Sequence, residues 1–158
     1  MKSLNYVRKG TEIYSMKIKI VETSAEKEAV LDIRRAVFIQ EQKIPEPIEI
    51  DENEEKATYV LATINKRPVG TFRWRKTFKG IKLERLAVLQ EHRKHGIGGK
   101  LTQFVIDQIS DEDKIYLNAQ ENVIHFYSRR GFHPVGSIFK EAGIPHQEMT
   151  FIRESINK

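Results

Sequence analysis

The chain has 158 residues, a formal net charge of +5 and no cysteine. This length fits one domain with its own hydrophobic core, and the lack of cysteine excludes disulfides, thiolate metal ligands and a cysteine nucleophile. No apolar run approaches the roughly 20 residues of a membrane span and no signal-peptide core is present, so we expect a cytoplasmic protein without a membrane anchor.

Charge is segregated along the chain. Residues 1–20 carry five basic residues against one acid, residues 41–55 carry seven acids against one lysine, and residues 73–100 carry nine basic residues against two acids. An acidic and a basic segment in one small domain favour one cationic and one anionic ligand over a continuous nucleic-acid track. The acidic run is equally typical of a solvated face.

The first half of the chain predicts a strand, a helix and a hairpin. The basic start is expected to be a flexible extension over residues 1–15, with the domain spanning 16–158. Alternation and turn signals then predict the following elements: a strand at 16–21, a helix capped at Thr23 and continuing to Val37, a loop or broken helix at 44–55, and a hairpin of 57–64 with 69–75.

The second half alternates strands with helices. We expect a strand at 81–89, a helix from Ile97 to Ile109, a strand at 115–119, a helix at 121–131 closed by Gly131, and short strands at 132–136 and 147–152. This order indicates an α/β fold.

Three glycines stand where the strand at 81–89 gives way to a helix, in the stretch "HRKHGIGGK". Glycine costs a helix about 1 kcal/mol relative to alanine, so these positions need either a positive φ or a bare backbone beside a ligand. Free N–H groups and the positive end of the helix dipole favour an anion such as a diphosphate. The stretch fits neither a Walker nor a Rossmann motif, and a ligand-free turn is the alternative.

Two motifs resemble those of the GNAT superfamily of acyl-CoA-dependent N-acetyltransferases. Arg93-Lys94-His95-Gly96-Ile97-Gly98, preceded by Arg85-Leu86-Ala87-Val88, is similar to its motif A, and "FYSRRGF" at 126–132 is similar to its C-terminal helix-to-strand segment. Gln90, Gln120 and Val123 depart from residues common in the superfamily. The resemblance extends from about residue 16 to 152 and includes a small bacterial subgroup of uncharacterised proteins.

The resemblance implies acetyl-CoA as cosubstrate, with no metal. Its diphosphate would lie on the N–H groups of residues 94–99, and its pantetheine would pair with the strand backbone at 86–88. The implied cofactor-binding residues are Leu86, Ala87, Val88, Arg93, Lys94, His95, Gly96, Ile97, Gly98 and Gly99.

Two catalytic residues follow from the same resemblance. Glu84 is a candidate base that deprotonates the attacking amine, although water or a mere surface ion pair is the alternative. Tyr127 is a candidate acid that protonates the CoA thiolate, although a buried core aromatic is the alternative. His146, a single loop histidine, receives no role.

The resemblance implies a single-domain GNAT fold, with a mixed, largely antiparallel, splayed sheet and about four helices. We expect acetyl transfer to a primary amine, with a small-molecule acceptor favoured over a protein. A homodimer is expected from the C-terminal strands. A non-catalytic acyl-CoA sensor and a nucleic-acid-binding protein remain as alternatives, and the charge layout disfavours the second.

Overall fold

A computed structural model of the protein describes residues 2–154, with side chains from residue 6 onward. Eight strands are hydrogen-bonded in the order β1-β2-β3-β4-β5-β6-β8-β7. They are β1 (Lys2–Lys9), β2 (Glu12–Ile20), β3 (Thr58–Ile64), β4 (Arg67–Thr77), β5 (Gly80–Val88), β6 (Ile115–Gln120), β7 (Phe132–Glu141) and β8 (Ile144–Phe151). Strand β5 pairs with β6 in parallel, whereas β1 with β2, β2 with β3, β3 with β4, β6 with β8 and β7 with β8 are antiparallel. The sheet is therefore mixed and largely antiparallel, as expected.

The chain forms two compact units, and strands β4 and β5 each run through both. The first unit is Met1–Trp74 with Arg85–Gln108, and the second is Arg75–Glu84 with Ile109–Lys158. Helices α1 (Ser24–Arg34), α2 (Glu46–Glu49) and α3 (Ile97–Gln108) belong to the first unit, and α4 (Ile124–Ser128) belongs to the second.

Helix α1 begins where the sequence predicts, at Thr23. The Thr23 hydroxyl accepts from Glu26 N at 3.1 Å, and the Glu26 carboxylate accepts from Thr23 N at 3.0 Å, which completes a capping box. The helix continues into a π-helical segment, Arg35–Glu41, which the 3.6-residue pattern could not predict.

Close packing fixes helix α3 on the sheet of the first unit. Leu101 and Val105 are fully buried. A Cβ added to Gly70 on β4 would lie 3.0 Å from Leu101 Cδ1 and 3.3 Å from Ala87 O. Glycine at position 70 therefore lets α3 lie close to β4. The glycine motif follows β5 and opens α3.

The second unit contains a sheet and an aromatic cluster, which consists of Phe126, Tyr127, Phe132 and Phe151. Leu83, Ile115, Phe132 and Met149 are each at most 2% exposed. Strand β7 is the edge strand, and its residues from His133 to Glu141 are all exposed.

Two parts of the chain differ from the sequence-based expectations. Residues 2–9, expected to belong to a flexible extension, pair with β2 in a continuous antiparallel register from Lys2 to Lys9. Met1 lies outside the described residues. The C-terminal hairpin is also longer than expected, because Ala142 and Gly143 adopt φ values of 51° and 74° and close a tight turn between β7 and β8.

Candidate functional site

The glycine loop has the conformation that its sequence requires. Lys94 and Gly96 have φ values of 67° and 80°, in the left-handed region. A Cβ at Gly96 would meet no atom within 4 Å, so glycine serves the backbone angle there and not a lack of space. The turn delivers the chain into α3 at Ile97.

The start of α3 presents unsatisfied backbone donors. Within residues 2–154, no acceptor receives a hydrogen bond from the N–H groups of Gly96 to Gly99, and the first bond of the helix runs from Lys100 N to Gly96 O at 3.1 Å. Ile97 anchors the turn because its side chain is 2% exposed. These donors, the dipole and exposed Lys94 fit a diphosphate group.

The side chain of Arg93 is already engaged within the protein. Its Nη1 and Nη2 donate to the two carboxylate oxygens of Glu41 at 2.7 and 2.8 Å, and its Nε donates to Val88 O at 2.9 Å. The hydrogen bonds from Arg93 hold the pKa of Glu41 below its usual value. Arg93 therefore ties the π-helical segment to the end of β5, a role that the motif alone does not reveal.

Strand β5 exposes part of the segment expected to pair with pantetheine. Ala87 is 2% exposed, whereas Leu86 and Val88 on the alternate positions are half-buried. Val88 is followed by Leu89, whose N–H donates to Val69 O at 2.9 Å. The structure thus brings residues 86–88 and the glycine loop together in the first unit.

Arg85, directly before this segment, is a strand residue with a φ of 61°. Such an angle is strained for a residue with a Cβ and re-aims the peptide groups that follow. The sequence gives no sign of it, because the position reads as an ordinary member of an alternating strand.

Glu84 belongs to the second unit and is bound by two cations. Arg75 donates to its carboxylate through Nε at 3.1 Å and Nη2 at 3.0 Å, and Lys82 Nζ lies 3.2 Å from it. The side chain is 7% exposed. Both carboxylate oxygens are therefore engaged by cations within the second unit.

Tyr127, also in the second unit, lies in the aromatic cluster. Its ring makes edge contacts with Phe126 and Phe132, at centroid distances of 4.9 and 5.5 Å. Burial raises the pKa of its hydroxyl, so the group stays protonated at neutral pH. Within residues 2–154 this hydroxyl makes no hydrogen bond.

The acidic segment forms a buried ion-pair network. We call the six charged residues involved the arginine–carboxylate network: Arg34, Glu49, Asp51, Glu54, Arg73 and Arg85. Arg34 and Arg73 have no exposed side-chain surface, and Glu49 is 2% exposed. Burial raises the pKa of Glu49. The interpretation of the acidic run as a solvated face is therefore wrong for Glu49, Asp51 and Glu54. Glu52 and Glu55 are exposed.

Sequence reasoning missed the three arginines of this network. One signal was available: Arg34 follows Ile33 and precedes Val37 on the apolar side of its helix, where a buried charge needs a partner. Residues 41–55 supply an excess of carboxylates for that pairing.

A cavity of about 320 Å³ lies beside the glycine loop. It is lined by Ala36, Val37, Gln40, Glu41, Leu89, Gln90 and Glu91. Its size falls at the lower end of small-molecule sites. Of the two carboxylates on its wall, Glu41 is paired with Arg93, and Glu91 makes no ion pair within residues 2–154.

His146 is a buried strand residue and not the loop histidine that the sequence suggests. It is 6% exposed, and its Nδ1 lies 2.7 Å from Ile144 O. No group of three or more histidine, cysteine or acidic residues poised for a metal occurs within residues 2–154. No helix in the same range is long and apolar enough to span a membrane.

The chain is similar to an acetyltransferase family and to several bacterial relatives. The acetyltransferase (GNAT) domain family matches residues 20–153. The uncharacterised N-acetyltransferase YjcF of Bacillus subtilis is 34% identical over 137 residues, covering 85% of this chain and 98% of its own. YyaT of the same organism is 36% identical over 141 residues, covering 85% and 95%.

Solved structures agree on the fold. ElaA of Escherichia coli superposes with a TM-score of 0.78 at 23% identity, covering 87% of this chain and 99% of its own. An aminoglycoside 6'-N-acetyltransferase complexed with coenzyme A superposes with a TM-score of 0.69 at 19% identity, covering 88% and 99%. The glycine loop, the strand before it and these relatives lead to one assignment: the chain belongs to the GNAT acetyltransferase family.

Proposed function

We propose that this chain transfers an acetyl group from acetyl-CoA to a primary amine, by direct attack in a complex of both substrates. The unsatisfied N–H groups of Gly96 to Gly99 carry the proposal, because they fit a diphosphate beside the half-buried strand segment 86–88. That segment suits the peptide-like pantetheine, which can pair with backbone as an added strand does.

The chemistry needs a polarised carbonyl and two proton transfers. Attack on the thioester builds negative charge on its oxygen, which an N–H near Leu86 would stabilise. An amine with a pKa of about 10 must lose a proton before it attacks. Glu84 or water is the proposed base, and the pairing of Glu84 with Arg75 and Lys82 supports water as the stronger candidate.

Tyr127 is the proposed acid for the CoA thiolate. Burial raises its pKa, so the hydroxyl is protonated at neutral pH but is a weaker acid than an ordinary tyrosine. The observation that supports the role is the lack of a hydrogen-bonding partner for this hydroxyl within the described residues. Its contacts with Phe126 and Phe132 support a packing role equally.

We propose a small cationic amine as the acceptor. The cavity beside the glycine loop has about 320 Å³, and its wall includes Glu91, which makes no ion pair within the described residues, whereas Glu41 on the same wall is paired with Arg93. The acidic segment 41–55 contributes less than its charge suggests, because Glu49, Asp51 and Glu54 pair with arginines. We propose a cytoplasmic location, which the composition of the chain predicts.

Replacement of Gly98 by glutamate tests the diphosphate site. The new carboxylate would lie among the free N–H groups and repel a diphosphate, so acetyl-CoA binding measured by isothermal titration calorimetry should be lost. Gly98→Ala should bind within a few-fold of wild type, as should Gln103→Glu, which adds the same charge to the exposed side of α3. Unchanged affinity in a folded Gly98→Glu protein would place the site elsewhere.

An amine panel that follows CoA release separates catalysis from binding alone. Turnover with at least one amine supports the enzyme, whereas tight acetyl-CoA binding with no release across the panel supports a sensor. Titration with a random DNA duplex addresses the nucleic-acid alternative, for which affinity should fall steeply with salt.

A further inference from the structure

The strained backbone at Arg85 is held by its own side chain. The φ of 61° at this residue costs on the order of 1–3 kcal/mol and persists only where the surroundings impose it. On either side, Leu83 and Ala87 are each 2% exposed, so the strand cannot relieve the strain by sliding without uncovering the core.

The guanidinium of Arg85 reaches the carboxylates at the end of α2. Its Nε lies 2.9 Å from Glu49 Oε2, and its Nη2 lies 3.2 Å from Asp51 Oδ2 and 3.4 Å from Ile48 O. Nε is buried but is not aimed at an acceptor within hydrogen-bonding geometry. The guanidinium of Arg85 is therefore held in place by its attraction to the two carboxylates, although its Nε makes no hydrogen bond to a described residue.

These two carboxylates are themselves held by two further arginines. Arg34 donates to Glu49 Oε1 at 2.8 Å and to Glu49 O at 2.7 Å. Arg73 Nη2 donates to Asp51 Oδ2 at 3.0 Å. Since Arg34 and Arg73 have no exposed side-chain surface, the network is a rigid anchor for Arg85.

We infer that Glu49 and Asp51 act through Arg85 as positioning residues for the Leu86 N–H. A left-handed residue turns the next peptide group out of the regular pleat, and that peptide carries the N–H assigned above to the thioester oxygen. This inference rests on the proposed function. The acidic segment would then affect the rate of acetyl transfer through the backbone of β5, without contacting the amine.

The test compares alanine and glycine at position 85. Both remove the anchor, but only glycine adopts a positive φ without a Cβ penalty. Arg85→Ala should lower kcat by about 10- to 100-fold, since loss of one such donor typically costs 10²- to 10³-fold, with a smaller change in KM for acetyl-CoA. Arg85→Gly should recover at least about 5-fold of that loss.

Lys66 provides the matched control. It is a basic residue with a φ of 68°, exposed in the β3–β4 turn. Lys66→Gly should have a higher melting temperature than Lys66→Ala, and both variants should keep kcat within about 2-fold of wild type. Equal kcat losses for Ala and Gly at position 85, or no loss for either, would overturn the positioning role.

Amide hydrogen exchange separates this inference from the proposed function. The exchange rate of the Leu86 amide should change in Arg85→Ala, revert toward wild type in Arg85→Gly, and change in Glu49→Gln. If wild type neither binds acetyl-CoA nor releases CoA, the proposed function fails regardless of these rates. If wild type is active but the Leu86 amide exchanges alike in all variants, the inference alone fails.

Discussion

Tyr127 shows how one residue can satisfy two interpretations. Its ring fills the aromatic cluster of the second unit, yet burial keeps its hydroxyl protonated and no described residue takes that proton in a hydrogen bond. The packing contacts belong to the ring and the proposed chemistry belongs to the oxygen. A change that removes only the oxygen separates the two.

Tyr127→Phe should lower kcat by about 10- to 100-fold while KM for acetyl-CoA changes little. General acids typically contribute about 10²- to 10⁴-fold, and a thiol with a pKa of about 8.5 is already a fair leaving group, which places the effect at the low end. Steady-state kinetics over a pH series, where chemistry limits the rate, provides the measurement. A wild-type rate would make Tyr127 a core residue only, and loss of acetyl-CoA binding would make its hydroxyl a positioning group.

At the scale of elements, the capping box at the start of α1 makes the stability of the folded protein depend on pH. Glu26 completes the capping box and also pairs with Lys19 on β2, whose Nζ lies 2.6 Å away. The hydrogen bond from Lys19, followed by those from the backbone, lowers the pKa of Glu26 to about 2. The ionised form is thus favoured by folding.

Glu26→Gln should destabilise the protein at neutral pH but not at pH 2. A carboxyl whose folded pKa lies below its unfolded value contributes stability above about pH 4.5 and loses it as the pH falls toward 2. Urea unfolding at pH 7, 4 and 2.5 would show wild type and variant converging. Exposed Glu52, changed to Gln, is the control and should unfold like wild type at every pH. A constant gap down to pH 2 would exclude the ion pair as its cause.

The elements that local patterns specify were predicted well. The cap at Thr23, the β3–β4 hairpin and the helix opened by the glycines all follow from short-range signals, and the structure confirms them. The extension of β7 to Glu141 was missed, because residues 137–141 show no alternation. The backbone there bulges, and Gln147 Nε2 donates to Val135 O at 2.8 Å.

Local sequence signals likewise predicted one part of the candidate site and missed another. The backbone donors at 96–99 were predicted because glycine spacing encodes them locally. The arginine–carboxylate network was not, because its partners are 15 to 36 positions apart, as in Arg34 with Glu49 and Arg85 with Glu49. Neutralising Glu49 and Asp51 is consequently expected to act on stability and on β5, and not on affinity for a cationic amine.

At the scale of the whole molecule, the edge of the sheet indicates association. Strand β7 ends the sheet order, and Val135 and Ile138 on it are 46% and 47% exposed. Long apolar edges are normally covered, because their unpaired N–H and C=O groups recruit another strand. We propose that a second copy of the chain pairs with β7.

Sedimentation velocity at tens of micromolar protein should show a dimer that Ile138→Lys converts to a monomer. Phe78→Lys is the matched control, since Phe78 is fully exposed in the β4–β5 turn and should not affect the dimer. A monomeric wild type, or a variant that dimerises as well as wild type, would leave β7 without this partner.

The proposed recognition of a diphosphate by main-chain N–H groups at the start of α3 has an evolutionary consequence. A peptide N–H is the same whichever side chain its residue carries, so a mutation at His95 leaves the donors in place provided that the turn through Gly96 and the buried anchor Ile97 survive. The residues that face the cavity beside the loop, such as Gln40 and Gln90, carry no such constraint. Under the proposed function, ordinary drift at those positions would change the acceptor amine, while recognition of the acetyl donor would stay fixed by a few backbone angles.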